Sequence, residues 1–294
     1  MKLSRLLAVT CLALLPLGAA VSEDAAPARD TEGWTPLFNG RDLSGWETWL
    51  GKPHKTVELP GLPKNEKGEY TEPVGLDRDP RQVFTVVDVD GRPAIRISGE
   101  VWGALTTKAE YGDYHLRFEF KWGAKRWPPR DQTVRDSGGL YHCVGPHGAG
   151  SGFWMRSFEI QVQEGDCGDF HSVDGVLVDV EAERKDPADP KSLLVYRRGA
   201  PKVVGHKQRI VKDPDNEKPT GEWNTLEVYC LGQTSVHVVN GKVNMVLTGL
   251  RQVVDGREVP LTRGRIQFQS ESAEVFYREI AVRPIEEIPK AVLP

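Results

Sequence analysis

The chain has 294 residues, of which 39% are hydrophobic and 27% are charged, and its formal net charge at pH 7 is -4. This length suits one large β domain or two smaller domains. The weak negative charge gives no reason to expect nucleic acid or an anionic membrane as a partner.

The first twenty residues predict an export signal. Lys2 and Arg5 precede an apolar run from Leu6 to Leu17, and Gly18-Ala19-Ala20 follows. A basic start, an apolar centre and small residues before the cleavage point are typical of signal peptides. We expect cleavage after Ala20 and a periplasmic or extracellular protein. Since no other apolar run approaches the ~20 residues that span a bilayer, we expect no membrane contact after cleavage.

The remaining chain predicts one domain with flexible ends. Residues 21–33 are rich in Ala, Pro and charge, which predicts a disordered leader. We expect the domain to cover residues 34–284 and a C-terminal tail to cover residues 285–294. Residues 52–81 contain many Pro, Gly and charged residues without a hydrophobic period, which predicts a long surface loop.

Three cysteines follow the export signal, at Cys143, Cys167 and Cys230. Export would place them in an oxidising compartment, and their odd number predicts one free or intermolecular thiol. Cys143 and Cys167 flank the central strand described below and could pair, but their spacing does not decide this. Because none of them has C-x-x-C spacing, we expect no zinc–thiolate or redox centre.

Short alternating segments separated by turn signals recur along the domain and predict an all-β fold. The predicted strands cover residues 84–89, 94–98, 101–107, 114–121, 138–144, 158–163, 175–180, 225–230, 235–239, 242–247, 265–270 and 274–283. No helical period or internal repeat is present. We therefore expect an antiparallel β-sandwich or jelly roll, with residues 183–192 and 197–221 as long rim loops.

The central predicted strand has one wholly polar face. Phe158, Ile160 and Val162 alternate with Glu159, Gln161 and Gln163, the period-2 pattern of a half-buried strand. A carboxylate and two carboxamides in a row predict the floor of a polar binding groove. An acidic, glycine-containing turn follows at residues 164–169.

The same spacing resembles that of β-sandwich glycosidases, which place acidic residues at i, i+2 and i+4 of one strand. A retaining mechanism needs two carboxyl groups ~5 Å apart. Gln163 can neither donate nor accept a proton, and Glu164 is expected on the opposite face. The sequence therefore disfavours direct hydrolysis by paired carboxylates.

A histidine on a neighbouring strand is the first further candidate. His142 ends the strand that begins at Gly138, and imidazole serves as a general base or a metal ligand. His142, Glu159 and Asp166 could bind one divalent cation, with an oxygen from Gln161. His142 could equally be a polar residue at a strand end without chemistry. His115 and His171 are weaker candidates.

A second predicted strand, residues 114–121, also has a wholly polar face. Its long cations Arg117 and Lys121 could polarise a ligand carbonyl, or they could offset the acidic row. Trp122 and Trp154 lie near the proposed groove, where aromatic faces stack on sugar rings. A Trp, however, is more often part of a core.

Six motifs in order resemble those of the 3-keto-disaccharide hydrolase family, and together they span most of the chain. They are WTPLFN with DLSGW at residues 34–46, DSGGLYH at 136–142, FEIQV at 158–162, GEWN at 221–224, VNGK at 239–242 and GRIQFQ at 264–269. Glu159 and Gln161 match the family's Glu-x-Gln strand, and Gln269 matches its late strand. Where many members have Asn-Ser-Gly and a final Arg, this chain has Asp136 and His142.

The resemblance implies a concanavalin A-like jelly roll, export, and cleavage of 3-keto-glycosides by metal-assisted elimination and hydration. A C3 ketone acidifies the C2 proton, so one base and one electrophile suffice. We thus predict an exported enzyme on a glycoside or oligosaccharide, without an organic cofactor and with one divalent metal ion. The predicted catalytic residues are His142, Glu159 and Lys121, and the predicted substrate-binding residues are Gln161, Gln163, Arg117, Trp122, Trp154 and Gln269. The alternative is a non-catalytic carbohydrate-binding module with the same groove.

Overall fold

The computed structural model describes residues 32–293, which form strands and turns without an α-helix. The predicted signal peptide and most of the predicted leader lie outside these residues. The described chain contains no helix of the length and hydropathy that crossing a membrane requires. Two packed sheets make up the fold, which confirms the predicted all-β jelly-roll sandwich.

One sheet, which we call sheet A, is entirely antiparallel. Its strands, numbered by chain order and given in spatial order, are β4 (Phe84–Val89), β5 (Arg92–Ile97), β21 (Ala273–Pro284), β8 (Tyr114–Arg126), β16 (Asn224–Leu231), β17 (Thr234–Val239), β18 (Lys242–Val254), β12 (Leu177–Arg184) and β14 (Lys202–His206), with β1 (Thr35–Pro36) beside β21 and β19 (Arg257–Pro260) beside β18.

The second sheet, sheet B, carries the central strand predicted from the sequence. Its spatial order is β3 (Gly75–Leu76), β2 (Trp46–Leu50), β6 (Gly103–Thr107), β20 (Arg263–Ser270), β9 (Asp136–Val144), β10 (Arg156–Gln163), β11 (Phe170–Val173), β15 (Ile210–Val211) and β13 (Leu194–Tyr196), and β7 (Tyr111–Gly112) pairs with the start of β20. Only the β13–β15 pair is parallel among the described strands, and β13 also pairs with β12 of sheet A.

The hydrophobic core lies between the inward faces of the two sheets. Phe158 of β10, Phe118 of β8 and Phe268 of β20 are fully buried members of one cluster. The rings of Phe118 and Phe268 meet edge to face, with centroids 5.0 Å apart. Burying a side chain of this size contributes about 1.5–3 kcal/mol to stability. The alternation that buries Phe158 turns Glu159 to the outward face of sheet B.

Residues 52–81 are not merely the surface loop that their composition predicts. Val57, Leu59, Tyr70 and Val74 are buried and belong to the main core cluster. The Tyr70 hydroxyl donates a hydrogen bond to the Val57 carbonyl at 2.7 Å and accepts one from the Leu59 amide at 2.9 Å. Isolated apolar residues spaced irregularly along the segment show no period, so the sequence pattern could not identify this packing.

The predicted rim loop at residues 197–221 contains β14 and β15, and β11 was not predicted at all. The C-terminal residues Ile285, Ile288 and Val292 pack beside a small cluster on sheet A that includes Tyr229. Cys143, Cys167 and Cys230 are buried free thiols, so the pairing of Cys143 with Cys167 that the sequence left open is not formed.

Candidate functional site

The outward face of sheet B brings several polar strand positions together. On β10, Glu159 pairs with Leu140 of β9, Gln161 with Gly138, and Gln163 with Asp136. Gln269 on the next strand, β20, lies on the same face, because Gln267 pairs with Leu140 and side chains two residues apart share a face. The predicted floor residues Glu159, Gln161, Gln163 and Gln269 therefore lie on one face, which we call the floor.

Gly138 allows Glu159 and Gln269 to meet. A Cβ atom on Gly138 would lie 2.1 Å from Glu159 Oε1 and 2.6 Å from Gln269 Oε1, closer than non-bonded atoms can approach. The two side chains thus meet above the glycine backbone, where Gln269 hydrogen-bonds to the Glu159 carboxyl. The DSGG motif supplies the space that this contact occupies.

Glu159 is one of three buried carboxyl groups at this end of the floor. It is 4% exposed, and burial, together with the charges of Asp136 and Glu271, raises its pKa well above the ordinary value. Burial also raises the pKa of Asp136 to about 6 and that of Glu271 to about 8. The Arg130 guanidinium contacts both Asp136 and Glu271, the latter at 2.7 Å. Arg130 pairs with Asp136 and Glu271, whereas burial and these two neighbouring carboxyl groups favour the protonated form of Glu159.

His171 lies beside Glu159. The two residues are directly paired between β10 and β11, so their side chains share the floor. Burial, and then the nearby Arg209, lowers the pKa of His171 to about 4, so its imidazole is neutral at pH 7. Its Nε2 atom is buried and has no hydrogen-bond partner within residues 32–293. The floor therefore pairs a carboxyl group whose burial favours the protonated form with a neutral imidazole.

Gln163 and Gln161 have backbone or carboxyl partners on the floor. Gln163 Nε2 donates a 2.6 Å hydrogen bond to Asp136 Oδ2, and Gln161 Oε1 accepts one of 2.9 Å from the Val162 amide. Trp154 lies on the same side of sheet B, where its indole N–H donates to the Gly103 carbonyl at 3.2 Å.

The acidic turn at residues 164–169 is held by cations from the segment that follows β14. Arg209 Nη2 lies 2.6 Å from Asp166 Oδ1 and 2.7 Å from Asp169 Oδ2. Lys212 Nζ donates a 2.6 Å hydrogen bond to the Gly165 carbonyl. These contacts assign the turn a structural role, which the sequence had left undecided.

The prediction that His142 joins the groove is wrong. A β-bulge in β9 and a φ of 51° at His142 rotate its side chain inward. The fully buried ring contacts Tyr114, Tyr141 and Phe158, and its Nδ1 atom lies 3.2 Å from the Leu261 carbonyl oxygen. Simple alternation would have placed His142 on the outward face, and the bulge removes that alternation.

Lys121, Arg117 and Trp122 also lie away from the floor. Lys121 and Arg117 are on the outward face of sheet A, on the other side of the sandwich. Lys121 Nζ contacts Asp90 at 3.0 Å, and the Arg117 guanidinium stacks 4.5 Å from the Trp34 ring centroid. Trp122 is 5% exposed and belongs to the core. The sequence pattern identified two polar faces but did not show that they belong to different sheets.

The predicted metal ligands do not assemble. His142 lies on the core side of sheet B, Glu159 lies on the outward side, and Asp166 is paired with Arg209. Throughout residues 32–293, no group of three or more His, Cys, Asp and Glu side chains is arranged to hold a metal ion. The predicted ligand set therefore does not fit a divalent cation.

Sequence reasoning missed the groups that surround Glu159. Glu271 and Arg130 come from segments after β20 and before β9 and carry no motif. His171 was considered a weaker candidate, and its strand β11 was not predicted. The one available signal was Asp136, which departs from the Asn common at that position and has become part of the carboxyl cluster.

Several solved structures are similar to this chain at low sequence identity. Two proposed glycosyl hydrolases of Parabacteroides distasonis ATCC 8503 are 18% and 17% identical, with TM-scores of 0.44 and 0.47; the alignments cover 86% and 87% of this chain and 99% and 95% of theirs. The Bacillus licheniformis β-glucanase is 10% identical, with a TM-score of 0.41 over 87% of this chain and all of that one. No curated protein sequence matches.

The sequence profile of one protein family matches almost the whole described domain. Residues 33–283 match the profile described as the 3-keto-alpha-glucoside-1,2-lyase-like domain, which is the family that the six motifs indicated. The chain therefore belongs to the family of 3-keto-alpha-glucoside-1,2-lyase-like domains.

Proposed function

We propose that this protein is an exported enzyme that cleaves 3-keto-glycosides by elimination across C1 and C2, followed by hydration. The observation that supports this most directly is the pairing of Glu159 with His171 on one outward face, in a chain of this family. Elimination needs one acid and one base at neighbouring positions of a sugar ring, and these two side chains offer that pair.

The ketone determines which protons can move. A carbonyl at C3 acidifies the proton on C2 because the resulting carbanion is delocalised onto the ketone oxygen. His171 Nε2 takes the C2 proton, the C2–H electron pair forms the C1=C2 bond, and the bond from C1 to the leaving oxygen breaks. Protonated Glu159 gives its proton to that oxygen. A positioned acid or base typically contributes 10²–10⁴-fold to the rate.

Hydration restores both groups. The Glu159 carboxylate takes a proton from a water molecule as its oxygen adds to C1, and His171 returns its proton to C2. The enzyme ends in its starting protonation state, and no external acid or base is consumed. Stepwise use of the same two groups also explains why Gln163 can replace the second acid of a glycosidase strand.

The remaining floor residues prepare Glu159 for this role. Asp136 and Glu271 raise its pKa, and Gln269 fixes its orientation. Because Glu159 is 4% exposed, a sugar ring can contact it only if side chains above the floor move. Gln161 and Gln163 are expected to bind ring hydroxyls during that movement.

The direct test uses p-nitrophenyl 3-keto-α-glucoside, with the unoxidised p-nitrophenyl α-glucoside as its control. We expect release of nitrophenol from the 3-keto compound only, and deuterium at C2 of the product in D₂O. Equal release from both compounds, or release without C2 exchange, would contradict elimination. Both measurements are repeated with a chelator and with added divalent cations, because the family resemblance implied a metal.

The alternative function is a carbohydrate-binding module without catalytic activity. Sugar binding without release from the 3-keto compound under any cation condition would support that alternative. Export is tested separately, because expression in a host with a secretion pathway should yield a mature N-terminus at Val21.

A further inference from the structure

A second hollow lies on the outward face of sheet B, away from Glu159. Its volume is about 310 Å³, and its lining includes Glu47 of β2, Arg265 of β20 and His147. Arg265 precedes Gln269 by four residues on the same strand, a distance of about 13 Å at the usual rise per residue. None of the predicted or assigned floor residues lines this hollow.

The segment before β10 separates the hollow from the floor. The Met155 amide donates a 3.0 Å hydrogen bond to Gln267 Oε1, and the Trp154 indole N–H donates to the Gly103 carbonyl. Met155 lines the hollow on one side and packs on Leu140, the partner of Glu159, on the other. The two sites are therefore neighbours with a shared wall.

The polar groups of the hollow are held in fixed positions. Glu47 Oε1 lies 2.8 Å from His147 Nε2 and also contacts Arg265 Nη1. Both contacts use one carboxylate oxygen, so Oε2 can accept a hydrogen bond from a ligand. Arg265 is a fork of five N–H donors whose side chain is 30% exposed. Trp49 stacks on the His147 ring, with centroids 5.8 Å apart, and fixes its orientation.

An unsatisfied buried atom in the hollow indicates a ligand. His147 Nδ1 is buried and has no hydrogen-bond partner among the residues that the structure describes, and leaving such an atom unsatisfied costs about 1–3 kcal/mol. Leu76 also lines the hollow and is 46% exposed, so a ligand in the hollow can contact its apolar surface.

The chemistry of the lining selects a neutral, hydroxyl-rich ligand. Glu47 and Glu110 oppose Arg265, so the hollow carries no excess positive charge for an anion. Leu76, Val144 and Met155 add an apolar wall. A few fixed donors and acceptors beside an apolar wall are typical of small-molecule sites, whose volumes start near 300 Å³. The apolar C–H face and the hydroxyl edge of a single sugar ring match these two surfaces.

We propose that this hollow is a second binding site, specific for one unoxidised neutral sugar ring. Glu47 and Arg265 would bind its hydroxyls, and Leu76 would contact its apolar face. The choice of a sugar rests on the proposed function, whereas the existence of the hollow does not.

The test is an NMR titration of the full mature protein with methyl α-glucoside, which has no C3 ketone. We expect saturable binding by the wild type, at least tenfold weaker binding by Glu47→Gln, and no binding by Leu76→Trp, which fills the mouth from an exposed position. Glu58→Gln is the matched control, because the Glu58 side chain is 82% exposed and pairs with Lys64, which does not line the hollow. It should bind like the wild type.

Absence of binding by the wild type, or equal binding by the wild type and Leu76→Trp, would overturn the proposal. These binding measurements do not depend on turnover. They can therefore be interpreted even if the protein does not cleave the 3-keto-glycoside. A kinetic comparison identifies the source of the ring. If Leu76→Trp raises KM for a 3-keto trisaccharide but not for the aryl 3-keto-glucoside, the ring belongs to the substrate. Equal KM values assign it to a separately bound sugar.

Discussion

The outward faces of the two sheets look alike in sequence and differ in how their charges are paired. On sheet A, two charges of the polar row have opposite partners: Glu119 Oε2 accepts a 2.7 Å bond from Arg278 Nε, and Lys121 Nζ lies 3.0 Å from Asp90. Arg278 also stacks 3.7 Å from the Trp223 ring centroid. On this face, acidic side chains pair with basic ones, and the guanidinium groups of Arg117 and Arg278 stack on aromatic rings.

On sheet B, like charges are gathered instead. Asp136 and Glu271 share one guanidinium, that of Arg130, and the charges of both carboxyl groups act on Glu159. The Asp136 Oδ1 and Gln269 Oε1 atoms are buried without hydrogen-bond partners in the described part of the chain. A fold gains no stability from such an arrangement, because unpaired buried polar groups are costly. Unbalanced charge, rather than polarity, distinguishes the candidate site.

The largest expected effect is the loss of activity caused by Glu159→Gln, and Glu119→Gln on sheet A is its matched control. Glutamine keeps the shape of a protonated Glu159 but cannot donate its proton to a leaving oxygen, so kcat/KM on the 3-keto-glycoside should fall about 10²–10⁴-fold. Glu119→Gln removes one surface pair, worth about 1 kcal/mol or less, and should leave kcat/KM within twofold. Full activity of Glu159→Gln would refute the assignment.

A smaller effect is expected from adding a methyl group to the floor. Alanine at Gly138 would place its Cβ 2.1 Å from Glu159 Oε1, so the carboxyl must move and activity should fall at least tenfold. The strain should cost about 1–3 kcal/mol in the free energy of unfolding. Gly123→Ala is the control, because its Cβ would meet another carboxyl side chain, that of Glu274, at 2.4 Å.

Gly123→Ala should lose comparable stability and keep its activity, since Glu274 is not on the floor. Chemical unfolding and kcat/KM measured on both variants separate strain from catalysis. Equal losses of activity in the two variants would show that Gly138 acts only through stability.

The pH dependence of stability should carry the signature of the buried carboxyls. The pKa of Glu271 is raised to about 8 by burial and by Asp136, so the folded state binds its proton more tightly than the unfolded state. This contribution is complete below pH 4.5 and is lost as pH rises toward 8. The unfolding free energy of Glu271→Gln, relative to wild type, should therefore rise between pH 5 and 8, by an amount on the order of a few kcal/mol.

Glu164→Gln provides the contrast. Burial opposes ionisation of Glu164, yet hydrogen bonds from Arg135 and Thr220 lower its pKa. The stability it contributes is lost only at pH values below its ordinary pKa, so its difference from wild type should stay flat from pH 5 to 8. A flat profile for Glu271→Gln would show that the carboxyl cluster is less buried than its contacts indicate.

Alternation and turn signals were sufficient to predict most strands of the fold. The predicted segments at residues 84–89 and 235–239 differ from β4 and β17 by at most one residue, because the turn signals at Asp90-Gly91 and Asn240-Gly241 bound them. The strands β11, β13 and β15 have only two to four residues, which is too short for a recognisable alternating pattern. Their pairing is determined by neighbours distant in sequence, such as the single register contact of Phe170 with Ile210.

The site was predictable only where regular alternation holds. The alternating pattern placed Glu159, Gln161 and Gln163 on one face, and the family motif added Gln269. His142 was misplaced because a bulge is a backbone event without a side-chain signature. The partners Glu271, Arg130 and His171 come from three separate segments, and their approach depends on tertiary packing that a single sequence does not encode locally.

The smallest expected effect is that of Lys121→Met, which tests whether the outward face of sheet A takes part in substrate binding. Methionine keeps the apolar stem that packs near the Trp223 ring, 5.8 Å from Lys121 Nζ, and removes only the charge facing Asp90. Exposed pairs of this kind often contribute nothing measurable. Both the midpoint of thermal unfolding and kcat/KM on the 3-keto-glycoside should equal those of the wild type within error. A hundredfold loss of kcat/KM with unchanged stability would mean that substrate binds the outward face of sheet A, because no contact links Lys121 to the floor. Paired charges would then have concealed the site, and the imbalance around Arg130 would be a structural feature of sheet B alone.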